Sequence, residues 1–230
     1  MIRIPVKLSK QIINRAKQYS LFREECKKYL IDNGINHDKF TITEFDSFLG
    51  YVSEAFIADY IRGKYHGRVC VSKWQDQFNL GMIQKIVSEK RNSKDDIELV
   101  SSYFYDTFDL YVSTPNYHVF LDLKIDVKTA MTQNTPQDSW VFLYPVVQAR
   151  KLGKDAAVLV YYVADDKNDP STLREIVLIG YLNETEISNC EIIKTGEYTI
   201  HGTCSRTDNY VTNVGNYHDI SELFKDITIQ

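Results

Sequence analysis

Between Thr41 and Tyr65 apolar residues return every three or four positions, at Phe45, Phe48, Leu49, Val52, Phe56 and Tyr60, with Asp59 on the same line. That is the repeat of a helix with one face against a core. Thr41-Ile-Thr-Glu44 and Thr43-Glu-Phe-Asp46 both have the form of a capping box, which places the helix from about Phe45 to Tyr65. At ~100° per residue Glu54 lies off the main stripe, on a second face with Ser47, Gly50, Ala58 and Ile61. The small members of that face allow another element to come close.

Downstream the period shortens to two. In FDLYVSTPNYHVFLDLKIDVKTA, Phe108 to Ala130, Leu110 and Val112 face one way and Asp109 and Tyr111 the other. After Pro115-Asn116, Val119, Leu121, Leu123, Ile125 and Val127 share an apolar face. Asp122, Lys124, Asp126 and Lys128 then lie together on the opposite one. The segment reads as a hairpin whose two strands carry carboxylates towards one surface.

Further along, Trp140 to Pro145 leads into a helix expected from Gln148 to Leu152, with Gly153 as its stop. Ala156 to Val163 is a continuous apolar run of strand length, as in a central strand covered on both faces. Ile176 to Leu182 reads as another strand, set off by the turn-rich Asp165 to Pro170. Residues 1–40 are expected to be helical, including Leu21 to Ile31. After Leu182 the pattern becomes irregular, with a short strand over Tyr198 to Gly202 and a short helix over Ile220 to Phe224. We find no repeat, low-complexity tract or linker, so the expectation is one domain over 1–230. Its parts are a helical extension at 1–40, a core at 41–182 and an irregular part at 183–230.

Composition bounds this picture. The chain has 230 residues, 43% hydrophobic and 25% charged, enough for one well-buried domain. No apolar run approaches the ~20 residues of a membrane span, and the start MIRIPVKLSKQIINRAK lacks the apolar centre of a secretory signal. A cytoplasmic setting is therefore expected. Cys26, Cys70, Cys190 and Cys204 are scattered without metal-ligand spacing, so neither zinc nor a disulfide framework is indicated. The net charge of -4 and a pI near 5.8 argue against a nucleic-acid partner. That objection is partial, since a carboxylate cluster counts against the total until a metal neutralises it. The basic residues are also grouped: Lys7, Lys10, Arg15 and Lys17; Lys85, Lys90, Arg91 and Lys94; Arg150, Lys151 and Lys154.

The hairpin is the strongest candidate for chemistry. Carboxylates from two strands are what a hard divalent cation needs, and a neighbouring ammonium can orient or deprotonate a water attacking phosphorus. Asp109 and Asp126 are seventeen positions apart (126 minus 109), which suits a hairpin. The register stays open. A turn confined to Thr114 to Tyr117 pairs Ser113 with His118 and sets Asp109 opposite Asp122, making Asp122-Leu123-Lys124 the motif; a longer loop favours Asp126. A plain exposed hairpin with alternating charges, and a solvated Glu54, also account for these residues.

With Asp109 as the first acid and Asp126-Val127-Lys128 as the second motif, the segment resembles the PD-(D/E)xK nuclease superfamily, and most closely its type II restriction endonucleases. Gly50-x-x-x-Glu54-x-x-x-Ala58 is similar to the first helix of that superfamily, and the order helix glutamate, strand aspartate, D-x-K, helix is its core order. Phe108 departs from the pattern, standing where proline often precedes the first aspartate. The resemblance implies an α/β fold with a mixed central sheet flanked by helices, and magnesium-dependent hydrolysis of double-stranded DNA, with manganese as a substitute. It implies a metal held by Asp109, Asp126, Glu54 and the carbonyl of Val127, water activation by Lys128, and a homodimer. Gln148 resembles a glutamine that some members place near the lysine. His201 and His218 are left out of the site.

Overall fold

Whether the polar faces found above reach solvent or a second layer decides what their carboxylates can do. The computed structural model describes residues 2–4, 9–36, 42–115, 121–149, 153–166, 169, 172–199 and 202–228. Cα packing divides the chain into two compact units. One is Leu8–Asp122; the other joins Met1–Lys7 to Leu123–Gln230. The first strand, β1 (Ile2–Ile4), therefore belongs with the second half of the chain, where the sequence led us to expect helix.

The Leu8–Asp122 unit is mainly helical. Helix α1 (Lys10–Asp32) starts at Ser9, whose Oγ accepts from the Ile12 amide. Helix α2 (Glu44–Lys64) starts at Thr43, and of the two expected capping boxes the one formed is Thr43 with Asp46. Thr41 lies outside the described residues. Strand β2 (Cys70–Lys73) and a 3-10 turn (Trp74–Gln77) lead to α3 (Leu80–Ser88) and α4 (Lys94–Phe104). Cys26, Tyr29, Leu30, Ile83, Ile86, Val100, Tyr103 and Phe104 form the shared core of α1, α3 and α4. Strand β3 (Leu110–Ser113) pairs antiparallel with β2, Lys73 opposite Leu110 and Val71 opposite Val112. Leu110 and Val112 are buried and Tyr111 is half-buried, the alternation expected of the first hairpin strand.

The unit boundary falls after Asp122, the first residue of β4 (Asp122–Thr132). In the second unit, β5 (Val141–Pro145) and α5 (Val146–Ala149) precede β6 (Ala156–Ala164) and β7 (Leu173–Leu182). β4 runs parallel to β6, with Asp126 opposite Ala157 and Lys128 opposite Leu159. β6 is antiparallel to β7, and β7 to β1, so the order β1-β7-β6-β4 is a mixed sheet. All nine residues of β6 are buried, as the apolar run required. The fold class is α/β, a mixed sheet with helices.

Several local expectations differ from what is seen. Trp140 to Pro145, to which the pattern gave no element of its own, is largely strand, paired antiparallel in a second sheet. The described part of the helix after it is the single turn α5; Arg150 to Leu152 lie outside the described residues. Gly153, expected to stop it, has φ +85°, open to glycine at no steric cost. After Leu182 come α6 (Glu184–Ser188), β8 (Ile192–Ile193) and β9 (Asn209–Asn213), with sheet order β5-β9-β8. Tyr198 makes an isolated bridge to Cys204, and Ile200 and His201 of the expected strand lie outside the described residues, while Ile220–Phe224 is helical, as a 3-10 turn leading into α7 (Lys225–Thr228). Gly180 of β7 has φ +147°, and a Cβ there would sit 2.0 Å from the His218 carbonyl oxygen. Only glycine lets the C-terminal segment bridge to Tyr181 this closely.

Candidate active site

Each unit buries a set of acidic and basic side chains that includes residues of the expected site. In the Leu8–Asp122 unit the centre is Glu54, midway along α2 and 6% exposed. The second helix face is thus an inner face, and the solvated alternative for Glu54 does not hold. A Cβ at Gly50 would meet Glu54 Oε1 at 4.0 Å, an ordinary contact, so the glycine one turn earlier is not sterically required. Lys73, at the end of β2, places its Nζ 3.5 Å from Glu54 Oε2 and 4.3 Å from the Tyr51 ring centroid. Asp109 is also buried, and its carbonyl accepts from the Trp74 amide, fixing the chain as it enters β3. Arg23 completes the set from α1: it donates to the Phe104 carbonyl and the Tyr19 hydroxyl and lies 3.6 Å from Asp106. Burial pushes the Glu54 carboxyl up to about 8; Lys73 and Arg23 pull it down, while Asp109 and Asp106 push it further up. Two neighbouring buried acids that resist joint ionisation are the electrostatic condition in which a cation binds well.

In the other unit the centre is Asp126, in the middle of β4 and 1% exposed. Alternation places Asp126 and Lys128 on one face, and Lys128 Nζ lies 2.8 Å from Asp126 Oδ2. That face is covered rather than open: the Tyr144 hydroxyl of β5 donates to the same oxygen, and Lys154 Nζ reaches it at 3.1 Å while donating to the Tyr144 oxygen at 2.7 Å. Val127 is buried between them on the opposite side of the strand. The picture of an exposed, solubilising charged face therefore fails at Asp126.

Asp122, by contrast, is exposed and bonds to the Tyr111 hydroxyl. At the mouth of the hairpin the Thr114 amide donates to the Leu121 carbonyl, and the Leu121 amide to Thr114 Oγ1. This closure sets Thr114 against Leu121, as a longer loop would. Asn116 to Phe120 lie outside the described residues.

Among the expected site residues, Glu54 and Asp109 thus belong to one buried set, and Asp126 and Lys128 to the other. Gln148 is half-buried on α5. His218 bonds through Nε2 to Glu186, well placed as a clasp; His201 lies outside the described residues. Lys73, Tyr144 and Lys154 were not in the expected site. Lys154, one of the grouped basic residues, is 7% exposed and so lies inside the unit rather than on its surface. The one available signal was a lysine at the edge of a fully apolar run, directly after a glycine. Lys85 and Lys94 face Glu89 and Glu98, and Arg91 is held by Asp96, so the second basic group is largely answered by local acids.

Among the described residues no three His, Cys, Asp or Glu side chains gather closely enough to hold a metal ion, and no helix is long and apolar enough to cross a membrane. No protein-family model, curated protein or solved structure matches the chain.

Proposed function

We propose that the protein is a magnesium-dependent DNA endonuclease of the PD-(D/E)xK type, with a restriction-endonuclease-like fold and a role in the cytoplasm. The observation that carries the reading is the buried Asp126 with Lys128 two residues on, paired at 2.8 Å on one face of β4. The acid pair Glu54 and Asp109 supports it from the other set.

The donor set suits a hard cation. All the acids are carboxylates, and magnesium takes only one or two of them while keeping several waters, so a three-acid cluster is not needed. Asp126 and the carbonyl oxygen of Val127 would hold the ion in one unit, with manganese able to substitute, and Glu54 with Asp109 is the acid pair that the resemblance assigns to it in the other. When bound, it would supply positive charge to the scissile phosphate and an acidic water for the leaving 3' oxygen. Lys128 orients or deprotonates the attacking water, and it is available for this once it leaves Asp126. Asp126 is kept in one orientation by Tyr144 and Lys154. Double-stranded DNA is the substrate, and a homodimer would cut both strands by two-fold symmetry.

A second reading, a non-catalytic nucleic-acid-binding protein, is favoured by one observation: Tyr144, Lys128 and Lys154 all occupy Asp126 Oδ2, as in a buried network kept for structure. Incubation of the purified protein with supercoiled plasmid, with magnesium or with chelator, separates the two. Magnesium-dependent nicking that is lost in Lys128→Met is the expected result. An intact plasmid at every magnesium and manganese concentration would discard the nuclease.

A further inference from the structure

We propose that Lys154, with Tyr144, is the resident counter-charge of Asp126, a positioning residue that frees Lys128 to leave the carboxylate and act on a phosphate ester; the last step rests on the nuclease reading. A carboxylate that is 1% exposed must be paired or hydrogen-bonded where it lies. Two ammonium groups reach the same oxygen, and they are held very differently.

Lys154 has a side chain only 4% exposed and is fixed between Asp126 and the Tyr144 hydroxyl. Its backbone is stitched to β4. The Asp155 amide donates to the Lys124 carbonyl at 2.8 Å, and the Lys124 amide donates to Asp155 Oδ2 at 2.7 Å. Gly153, at φ +85°, turns the chain into this position. Lys128 comes from β4 itself, and its side chain is 15% exposed.

Both ammonium groups share one oxygen of Asp126, and Lys128 is the less enclosed of the two. With Lys154 in place, Lys128 can swing away without abandoning a buried charge. With Lys154 removed, Lys128 has to carry that compensation and stays on Asp126. Tyr144 contributes by accepting from Lys154 and donating to Asp126, which keeps the ammonium and the carboxylate in register.

The test is the rate of Lys128 labelling by an amine-reactive reagent in the whole, metal-free chain, read by peptide mass spectrometry against the exposed Lys85 as internal reference. Lys154→Met should slow labelling of Lys128 about tenfold, the scale of one charge-assisted hydrogen bond made harder to break. Lys154→Arg should restore it. Unchanged or faster labelling in Lys154→Met would overturn the proposal. If Lys154→Met does not fold, Tyr144→Phe decides: slower labelling supports the idea and an unchanged rate rejects it. In plasmid cleavage, Lys154→Met should cost roughly 10- to 100-fold, the usual loss when a residue behind a ligand is removed. It should cost nothing further in a Lys128→Met background, whereas additive losses would sink it. A wild-type protein that cuts nothing would end the nuclease reading while leaving the labelling result to stand.

Discussion

Replacing Glu54 with glutamine should make the metal-free protein more stable at alkaline pH, and the structure sets both the sign and the size. An ordinary glutamate titrates near 4.5, and in the folded chain burial raises Glu54 to about 8 against the pull of Lys73. Between those values the folded state holds a proton that the unfolded state has lost. The stability associated with neutral Glu54 is therefore full below pH 4.5, declines as pH rises, and is gone above about 8. At ~1.4 kcal/mol for each tenfold change in proton affinity, the whole loss is on the order of 5 kcal/mol, a large share of the ~5–15 kcal/mol that holds a typical domain together. Glutamine imitates the protonated acid at every pH and leaves Lys73 with an oxygen acceptor. Urea denaturation in chelator from pH 5 to pH 9 gives the difference between wild type and Glu54→Gln, in which the other titrating groups cancel. That difference should be small at pH 5 and grow in favour of the variant towards pH 9. A flat difference, or one that turns against the variant as pH rises, would mean that Lys73 holds Glu54 ionised and that the buried acid pair is not poised for a cation.

Three further outcomes follow from other parts of the molecule. Asp126→Asn should abolish plasmid nicking, while Asp122→Ala, which alters an exposed carboxylate outside the buried network, should retain most of it; the opposite pattern would move the motif to Asp122-x-Lys124. Gly180→Ala should destabilise the fold by at least ~2 kcal/mol in urea, because its Cβ would overlap the His218 carbonyl at φ +147°, and an unchanged midpoint would show that the C-terminal bridge yields freely. Calcium should tighten binding to labelled duplex DNA without producing cuts, since it neutralises the carboxylates of an otherwise acidic chain but supports hydrolysis poorly; equal affinity in calcium and in chelator would place those carboxylates away from the phosphate path.

How far the chain could be read in advance depended on whether the deciding information was local. The capping box at Thr43, the 3.6-residue repeat of α2 and the unbroken apolar run of β6 are local, and each formed where its pattern placed it. So is the face shared by Asp126 and Lys128, which follows from period two alone. What covers that face is not local. Tyr144 comes from a strand of the second sheet, in a segment whose pattern led into a helix, and β9, which pairs with it along Val141 to Pro145, lies some seventy residues further on. A period-two pattern cannot distinguish a polar face turned to water from one roofed by another layer, so Asp122 and Asp126 looked equivalent until their surroundings were seen. The same limit applied to Lys154, which stood among basic neighbours as a surface charge.

The burial of Glu54 shows the converse case, where the sequence carried the geometry but not the energetics. Its position off the main stripe was legible from helical spacing, and so was the second face of small residues around it. What decides its chemistry is that Lys73 and Arg23 come from elements before and after α2, and that Asp109 enters β3 at the same buried set. One nearby cation would leave an ordinary ion pair, and burial alone would leave an inert neutral acid. Both together, with a second acid beside them, set its midpoint at about 8. On the proposed metal-dependent reading, Glu54, rather than any exposed acid of this chain, is the residue through which cation binding and fold stability should be coupled.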